Sequence, residues 1–186
     1  MAATNPRLFT IDDLMELPDD GYQYELREGE LVQMPPCSFD SSEIAMTIAA
    51  RLKVFVAQHR MGSVTGADGG YTLQHDPPTV LAPDAGFVTR DRLPPREERR
   101  KYLELAPDLV VEVISPSDRA GAVHEKVMLW LSHGVRMLWL VNPAKESVTV
   151  YRPGQGPVLL QKGATLTGDD VLPGFSMLVI DVFPEE

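Results

Sequence analysis

Between Leu109 and Ile114 the chain reads Leu-Val-Val-Glu-Val-Ile, five apolar side chains interrupted by one carboxylate. An apolar run of this length, bounded by Pro107-Asp108 and by Ser115-Pro116-Ser117-Asp118, predicts a strand in the middle of a sheet. The segments around it carry other periods. "FTIDDLMELP" predicts a short helix from about Thr10, ended by Pro18. "YQYELREGELVQM" predicts a hairpin turning near Glu28–Gly29, with apolar residues alternating on its second strand. "PPCSFD" reads as a loop leading into a helix in which Ile44, Ile48, Leu52, Phe55 and Val56 recur at helical spacing. Asp40 and Glu43 have capping-box spacing there, with Asp40 in the cap position.

Further along, "GSVTGADGGYTLQ" is broken by glycine and strand-like after Gly70. "PDAGFVTR" predicts a strand with Pro83 at its first position, where a missing N–H is tolerated. A helix is expected from about Ala122 to His133, closed by Gly134. "RMLWLVNP" and "SVTVYRPG" predict two strands joined by a short turn, and the tail from Leu160 reads as loop and short strand. Together these predict an α+β fold: a mixed sheet flanked by two main helices, preceded by an N-terminal helix and hairpin. Residues 1–186 are expected to form a single domain, with no repeats and no linker.

Composition narrows the class. A 44% hydrophobic and 24% charged chain of 186 residues is ordinary for a globular protein with a real core. No apolar run reaches the roughly 18 residues of a membrane span. The N-terminus has no apolar signal core and turns acidic early. The single cysteine, Cys37, gives neither an internal disulfide nor a CxxC metal site. A reducing cytoplasm is the expected location. The net charge of −10 argues against loose binding to nucleic acid, where affinity comes from neutralising phosphates.

Glu112 needs a partner, because a carboxylate on a central strand is costly alone. Two Pro-Asp pairs stand near it. Asp108 lies four residues away on the same strand, about 13 Å, too far to share one metal ion. Asp84 begins another strand, and neighbouring strands are about 4.8 Å apart. Two carboxylates side by side repel unless a cation separates them. Oxygen ligands suit Mg²⁺ or Mn²⁺.

An "Asp … Glu-x-Lys" set on adjacent strands resembles the signature of the PD-(D/E)XK superfamily, the restriction-endonuclease fold. The usual lysine position is Ile114 here. However, "APDLVVEVISPSD…EKVMLWLSHGVRMLWLVNP" looks like the bacterial branch often called the Uma-two family, in which the lysine has moved to the next helix. The resemblance also covers "YELREGELVQMPP", "PDAGFVTRDRLP" and "LPGFSM". It implies a restriction-endonuclease-like core and places the lysine at Lys126. Residue 114 would point to the same face as Glu112, about 6.6 Å along the strand, so a lysine from a helix on that face could put its ammonium in the same place. The resemblance further implies a metal-dependent endonuclease acting on DNA. Asp84 and Glu112 would hold Mg²⁺ or Mn²⁺, with Glu43 a further candidate ligand. Lys126 would orient or help deprotonate the attacking water and stabilise charge on the phosphate. Relatives often carry a histidine where this chain has "SFDSSEIAM", and acidic residues where it has Ala122 and Asn142.

Each of these residues also has a plainer reading. Glu112 with Lys126 would make a buried ion pair; Asp84 would cap a turn; Glu43 would complete a capping box. Asp108 reads as a turn residue, Asp118 as a helix cap, His133 as a contact to a helix C-terminus, and Trp130 and Trp139 as core. From Arg90 to Lys101, six basic residues stand against Asp91, Glu97 and Glu98, a local surplus of +3. The plain expectation is a solvated loop with internal ion pairs. The alternative is a phosphate-contacting edge carried by Arg99 and Arg100. Superfamily nucleases often act as dimers, and the apolar tail from Val171 to Phe183 is the candidate interface of a homodimer. The competing functions are a nuclease-fold binding or assembly protein with weak or no catalysis, and hydrolysis of some other phosphate ester.

Overall fold

Two large sheets and a two-stranded one, β11 (Thr165–Thr167) with β12 (Ser176–Leu178), stand where the sequence suggests one sheet in the computed structural model, which describes residues 8–34 and 36–184. Residues 1–7, part of the stretch read for a signal core, lie outside the described residues. The main sheet has six strands in the order β10 (Val158–Gln161), β9 (Ser147–Tyr151), β8 (Met137–Asn142), β7 (Leu109–Val113), β6 (Ala85–Thr89) and β3 (Gly62–Gly66). β7 and β8 run parallel, joined by the crossover helix α3 (Ala120–Ser132), and the other pairs are antiparallel. The apolar run is therefore central, as its composition requires. Leu109, Val111 and Val113 pack with Ile44, Ile48, Leu52 and Val56 of α2 (Phe39–His59). Val110 packs on the other face with Val127 and Trp130 of α3. By the two-residue period of a strand, Glu112 shares Val110's face and points toward α3.

The second sheet has the order β2 (Glu30–Met34), β1 (Gln23–Arg27), β5 (Pro78–Leu81) and β4 (Tyr71–His75). The β1–β2 hairpin turns at Glu28 and Gly29, both with positive φ, which matches the twist of a tight hairpin. β5 is missed by the alternation argument because it is four residues long and opens on a proline. A helix α1 (Ile11–Met15) packs beside this sheet, with Thr10 and Asp13 forming a full capping box. Among the described residues no helix is long and apolar enough to cross a membrane.

Several local expectations change. Ser38, not Asp40, caps α2, its hydroxyl accepting the Ser41 N–H, so Asp40 and Glu43 form no capping box there. Arg119 occupies the cap position of α3 without a side-chain bond, and Asp118 instead accepts the Ser115 N–H inside its own turn. The strand after Pro83-Asp84 begins at Ala85. The tail does not present an apolar interface. Val171, Leu172, Phe175, Val179 and Val182 are buried in the α2-side core, where their burial from water already holds them. Only Leu178 and Ile180 of its large apolar residues stay exposed.

Asp108 is more than a turn residue. It is fully buried and accepts the Thr89 N–H at 2.8 Å. Its other oxygen meets Arg92 at 2.8 Å and Arg136 at 3.6 Å. It ties the start of β7 to the end of β6 and the start of β8. Asp108→Ala is expected to lower unfolding stability by about 2 kcal/mol or more, because the Thr89 donor loses a charged acceptor. Arg136→Ala, at a half-exposed partner, is expected to cost less than about 1 kcal/mol. Urea unfolding of the two variants checks the order.

Candidate active site

Antiparallel pairing of β6 and β7 sets Ala85 opposite Val111. One step further in that register brings Asp84 beside Glu112, the juxtaposition expected from the sequence. Asp84 is anchored there: its Oδ2 accepts the Val113 N–H at 2.6 Å. From α3, Lys126 and Trp130 stand one turn apart and converge on Glu112. The Lys126 Nζ lies 3.0 Å from each Glu112 oxygen, and the Trp130 Nε1 donates to Oε1 at 2.7 Å. Trp130 is core, as its size suggests, and also holds the carboxylate. The lysine displaced from strand to helix thus returns to the strand's carboxylate.

A fourth residue completes the group. Glu25, on β1, is 2% exposed. Its Oε1 lies 3.0 Å from the Lys126 Nζ and accepts the Ala82 N–H at 3.1 Å. Its Oε2 accepts from Arg27 at 2.7 Å. Lys126 also donates to the Ala82 carbonyl at 3.2 Å. Sequence reasoning missed Glu25 because Gln23, Glu25 and Arg27 alternate with Tyr24 and Leu26, the pattern of a strand with one solvent face. In the folded chain that polar face is turned onto the cavity. The available signal was the Glu25–Arg27 pair, opposite charges two residues apart on one face.

The environments push the two glutamates apart. Burial drives Glu112 up to about 7, against the opposing pull of Lys126, with Asp84 and Glu25 adding repulsion. Glu25 is also buried, but Lys126 and Arg27 together hold it below the usual carboxylate range. Burial raises Asp84, opposed by the Val113 N–H and Lys126. Lys126 is held protonated, well above its ordinary value, because Glu112, Glu25 and Asp84 outweigh its desolvation. Divergent values in neighbouring groups are what acid–base chemistry uses.

The four side chains line a cavity of about 1110 Å³ between the two sheets and the start of α3. Glu43 is not brought to it; it lies exposed on the first turns of α2. Arg99 and Arg100 lie in a 3₁₀ turn and line a neighbouring cavity. His133 closes α3 and bonds the Leu129 carbonyl and Gln74.

A family model described as "Putative restriction endonuclease", Uma2, matches residues 11–182. The chain belongs to the Uma2 family. The fold is also that of a solved "putative nuclease belonging to DUF820" from Anabaena variabilis ATCC 29413. That likeness has a TM-score of 0.83 and 24% identity, and covers 94% of this chain and 97% of that one. Among curated proteins nothing matches. Within this Uma2 chain the carboxylates of Asp84, Glu112 and Glu25 are hard oxygen donors, chemically suited to Mg²⁺ or Mn²⁺. Among the described residues, no three carboxylate, histidine or cysteine side chains are already disposed around one point to hold an ion. The Lys126 ammonium is the cation between the glutamates.

The raised Glu112 gives a testable pH dependence. The group titrates at about 7 when folded against an ordinary 4.5, so between these values the folded chain holds a proton the unfolded chain has released. Its contribution to stability is full below the ordinary value and is lost as pH rises through about 7. Its steepest slope is about 1.4 kcal/mol per pH unit. Glu25, shifted the other way, loses its contribution only as pH falls below the ordinary carboxylate range. Glu112→Gln is therefore expected to flatten the decline in stability toward neutral pH. Urea melts of both proteins across that window check it; parallel profiles refute the assignment.

Proposed function

We propose that this chain is a metal-dependent endonuclease hydrolysing DNA phosphodiester bonds, with Asp84, Glu112 and Lys126 as its catalytic residues. One observation carries the reading: two carboxylates on adjacent strands and a lysine reaching them from α3, all lining one cavity. Membership of a nuclease family supports it. Asp84 and Glu112 are the side chains that would hold Mg²⁺ or Mn²⁺, and such an ion, when bound, acts as a Lewis acid and lowers the pKa of its water.

The chain's own residues have separable tasks. Glu112 would hold the cation in its ionised form, and because burial raises it to about 7, cation affinity is expected to rise with pH through that value. Lys126 is held protonated by Glu112, Glu25 and Asp84, and a protonated lysine donates to phosphate oxygen, so of the roles the resemblance implies this one, stabilising charge on the phosphate, is the better supported. Glu25 positions Lys126, and Arg27 keeps Glu25 ionised.

A second reading, a nuclease-fold binding or assembly protein with weak or no catalysis, has one observation in its favour. Both Glu112 oxygens are bonded and Lys126 has three partners, as in a satisfied structural ion pair.

Plasmid nicking with Mg²⁺ or Mn²⁺ and with chelator separates the two. Cleavage is expected only with metal, and Asp84→Asn, Glu112→Gln and Lys126→Ala are each expected to lower the rate by about 100-fold or more. Metal is also expected to raise the wild-type thermal midpoint, more at pH 8 than at about pH 6, and to leave Glu112→Gln unmoved. Absence of both cleavage and the thermal shift favours the second reading.

A further inference from the structure

The expected ion pairs between the cations of Arg90 to Lys101 and Asp91, Glu97 and Glu98 do not form among the described residues. Arg92 is taken by Asp108. For Arg99, Arg100 and Lys101, no carboxylate lies within ion-pairing distance among the described residues. Arg99 Nε donates to the Pro94 carbonyl at 2.7 Å, which fixes that side chain while leaving its charge unpaired. All three are exposed and consecutive in sequence, which concentrates positive charge at one place in a chain of net charge −10.

They line a second cavity, of about 520 Å³, together with the hydroxyl-bearing Ser63 and Thr65. Its one acidic lining residue, Asp68, already accepts from Gln23. This cavity adjoins the first. Tyr102, Asp68, Gly70 and Met15 line both and form the wall between them. Tyr102 is held in that wall: its ring lies against Gly70 with no room for a Cβ there. An aromatic face thus stands between a carboxylate–lysine cluster on one side and three free cations on the other.

We propose that the second cavity binds the phosphodiester next to the one placed at Asp84 and Glu112. Arg99, Arg100 and Lys101 would contact its phosphate, and Tyr102 would stack on the intervening base. The assignment rests on the nuclease reading for which bond is cut, and adds how the strand lies: across both cavities, with a neighbouring phosphate and base held apart from the reacting bond. Unpaired cations supply backbone affinity without sequence preference, and a fixed aromatic accepts any base.

The test is binding of a fluorescein-labelled single-stranded deoxyoligonucleotide of about 12 residues, read by anisotropy in chelator over a range of salt. Arg99→Ala/Arg100→Ala is expected to weaken binding by about tenfold or more and to reduce the log–log salt slope by roughly 1.4. Tyr102→Leu is expected to weaken binding with the slope unchanged. Arg51→Ala/Lys162→Ala removes the same charge elsewhere and is the control. Equal losses in the control and the Arg99/Arg100 variant, an unchanged slope, or no binding by the wild type at low salt each overturn the proposal. Because all three changes are on exposed or half-exposed side chains, matched thermal midpoints confirm folding; Arg99→Gln/Arg100→Gln replaces any variant that fails this. Wild-type plasmid nicking is scored separately. Arginine-dependent binding without nicking removes the nuclease reading and keeps the subsite. Nicking with arginine-independent binding does the reverse.

Discussion

A single buried ammonium, that of Lys126, holds the two sheets and α3 in register around the cavity. It touches Glu112 on β7, Glu25 on β1 and the backbone of Ala82 just after β5. Each contact comes from a different element, so moving any one of them leaves a charge or a polar group without its partner. Inside a protein that penalty is several kcal/mol, far larger than the gain from forming a surface pair. The hairpin sheet is therefore placed over the main sheet by electrostatics at this point, whereas Leu26 and Val80 place it by apolar packing beside α1.

The same cluster costs stability relative to an apolar alternative. Apolar residues of similar volume at buried ion pairs are often neutral or stabilising. Here three carboxylates share one lysine and one arginine, and one of them, Glu112, is raised to about 7 chiefly by burial, with repulsion from Asp84 and Glu25 adding to it. A group designed only to hold the sheets together would not need the third acid, Asp84, whose Oδ2 bonds the backbone of β7 while its charge adds repulsion. The surplus of negative charge is what a cation would relieve, and Lys126 is the residue that would have to give way.

The sequence made the α3-facing half of this site legible because strand and helix periods are strict. Glu112 alternates with Val110, and Lys126 lies one turn before Trp130, so spacing is consistent with one shared interface, while the choice of Lys126 itself rests on the family resemblance. Asp84 was legible because it opens a strand of its own and neighbouring strands lie about 4.8 Å apart, and the pairing of Ala85 with Val111 sets it beside β7. Glu25 was not, because period reveals which residues share a face but not what that face meets. A polar strand face that meets solvent and one that meets a second sheet have the same sequence pattern. The second sheet itself escaped for a related reason: β5 is too short to show alternation. The tail failed in the opposite sense. Its apolar residues were read as an outer surface, yet they close the α2-side core, since apolar content cannot distinguish surface meant for a partner from surface the chain buries itself.

Charge needed the structure more than any other property. A net −10 speaks against nucleic acid as a partner only if the charge is spread evenly, and it is not. Arg152 and Arg136 are drawn off by Asp169 and Asp170, Arg27 by Glu25 and Arg92 by Asp108. Many of the cations are thus spent on structure, and the bulk count overstates how many carboxylates are free as well. What steers a polyanion is the local field at the cavity mouth, screened beyond about 10 Å at ordinary salt. Beside Tyr102, Arg99, Arg100 and Lys101 have no carboxylate within ion-pairing distance among the described residues, Asp68 is the one acid lining their cavity, and Glu112, Glu25 and Asp84 behind the wall are bonded to Lys126, Arg27 or backbone donors. An acidic protein can in this way carry a run of cations beside an acidic centre, so the bulk charge does not by itself decide what approaches that centre.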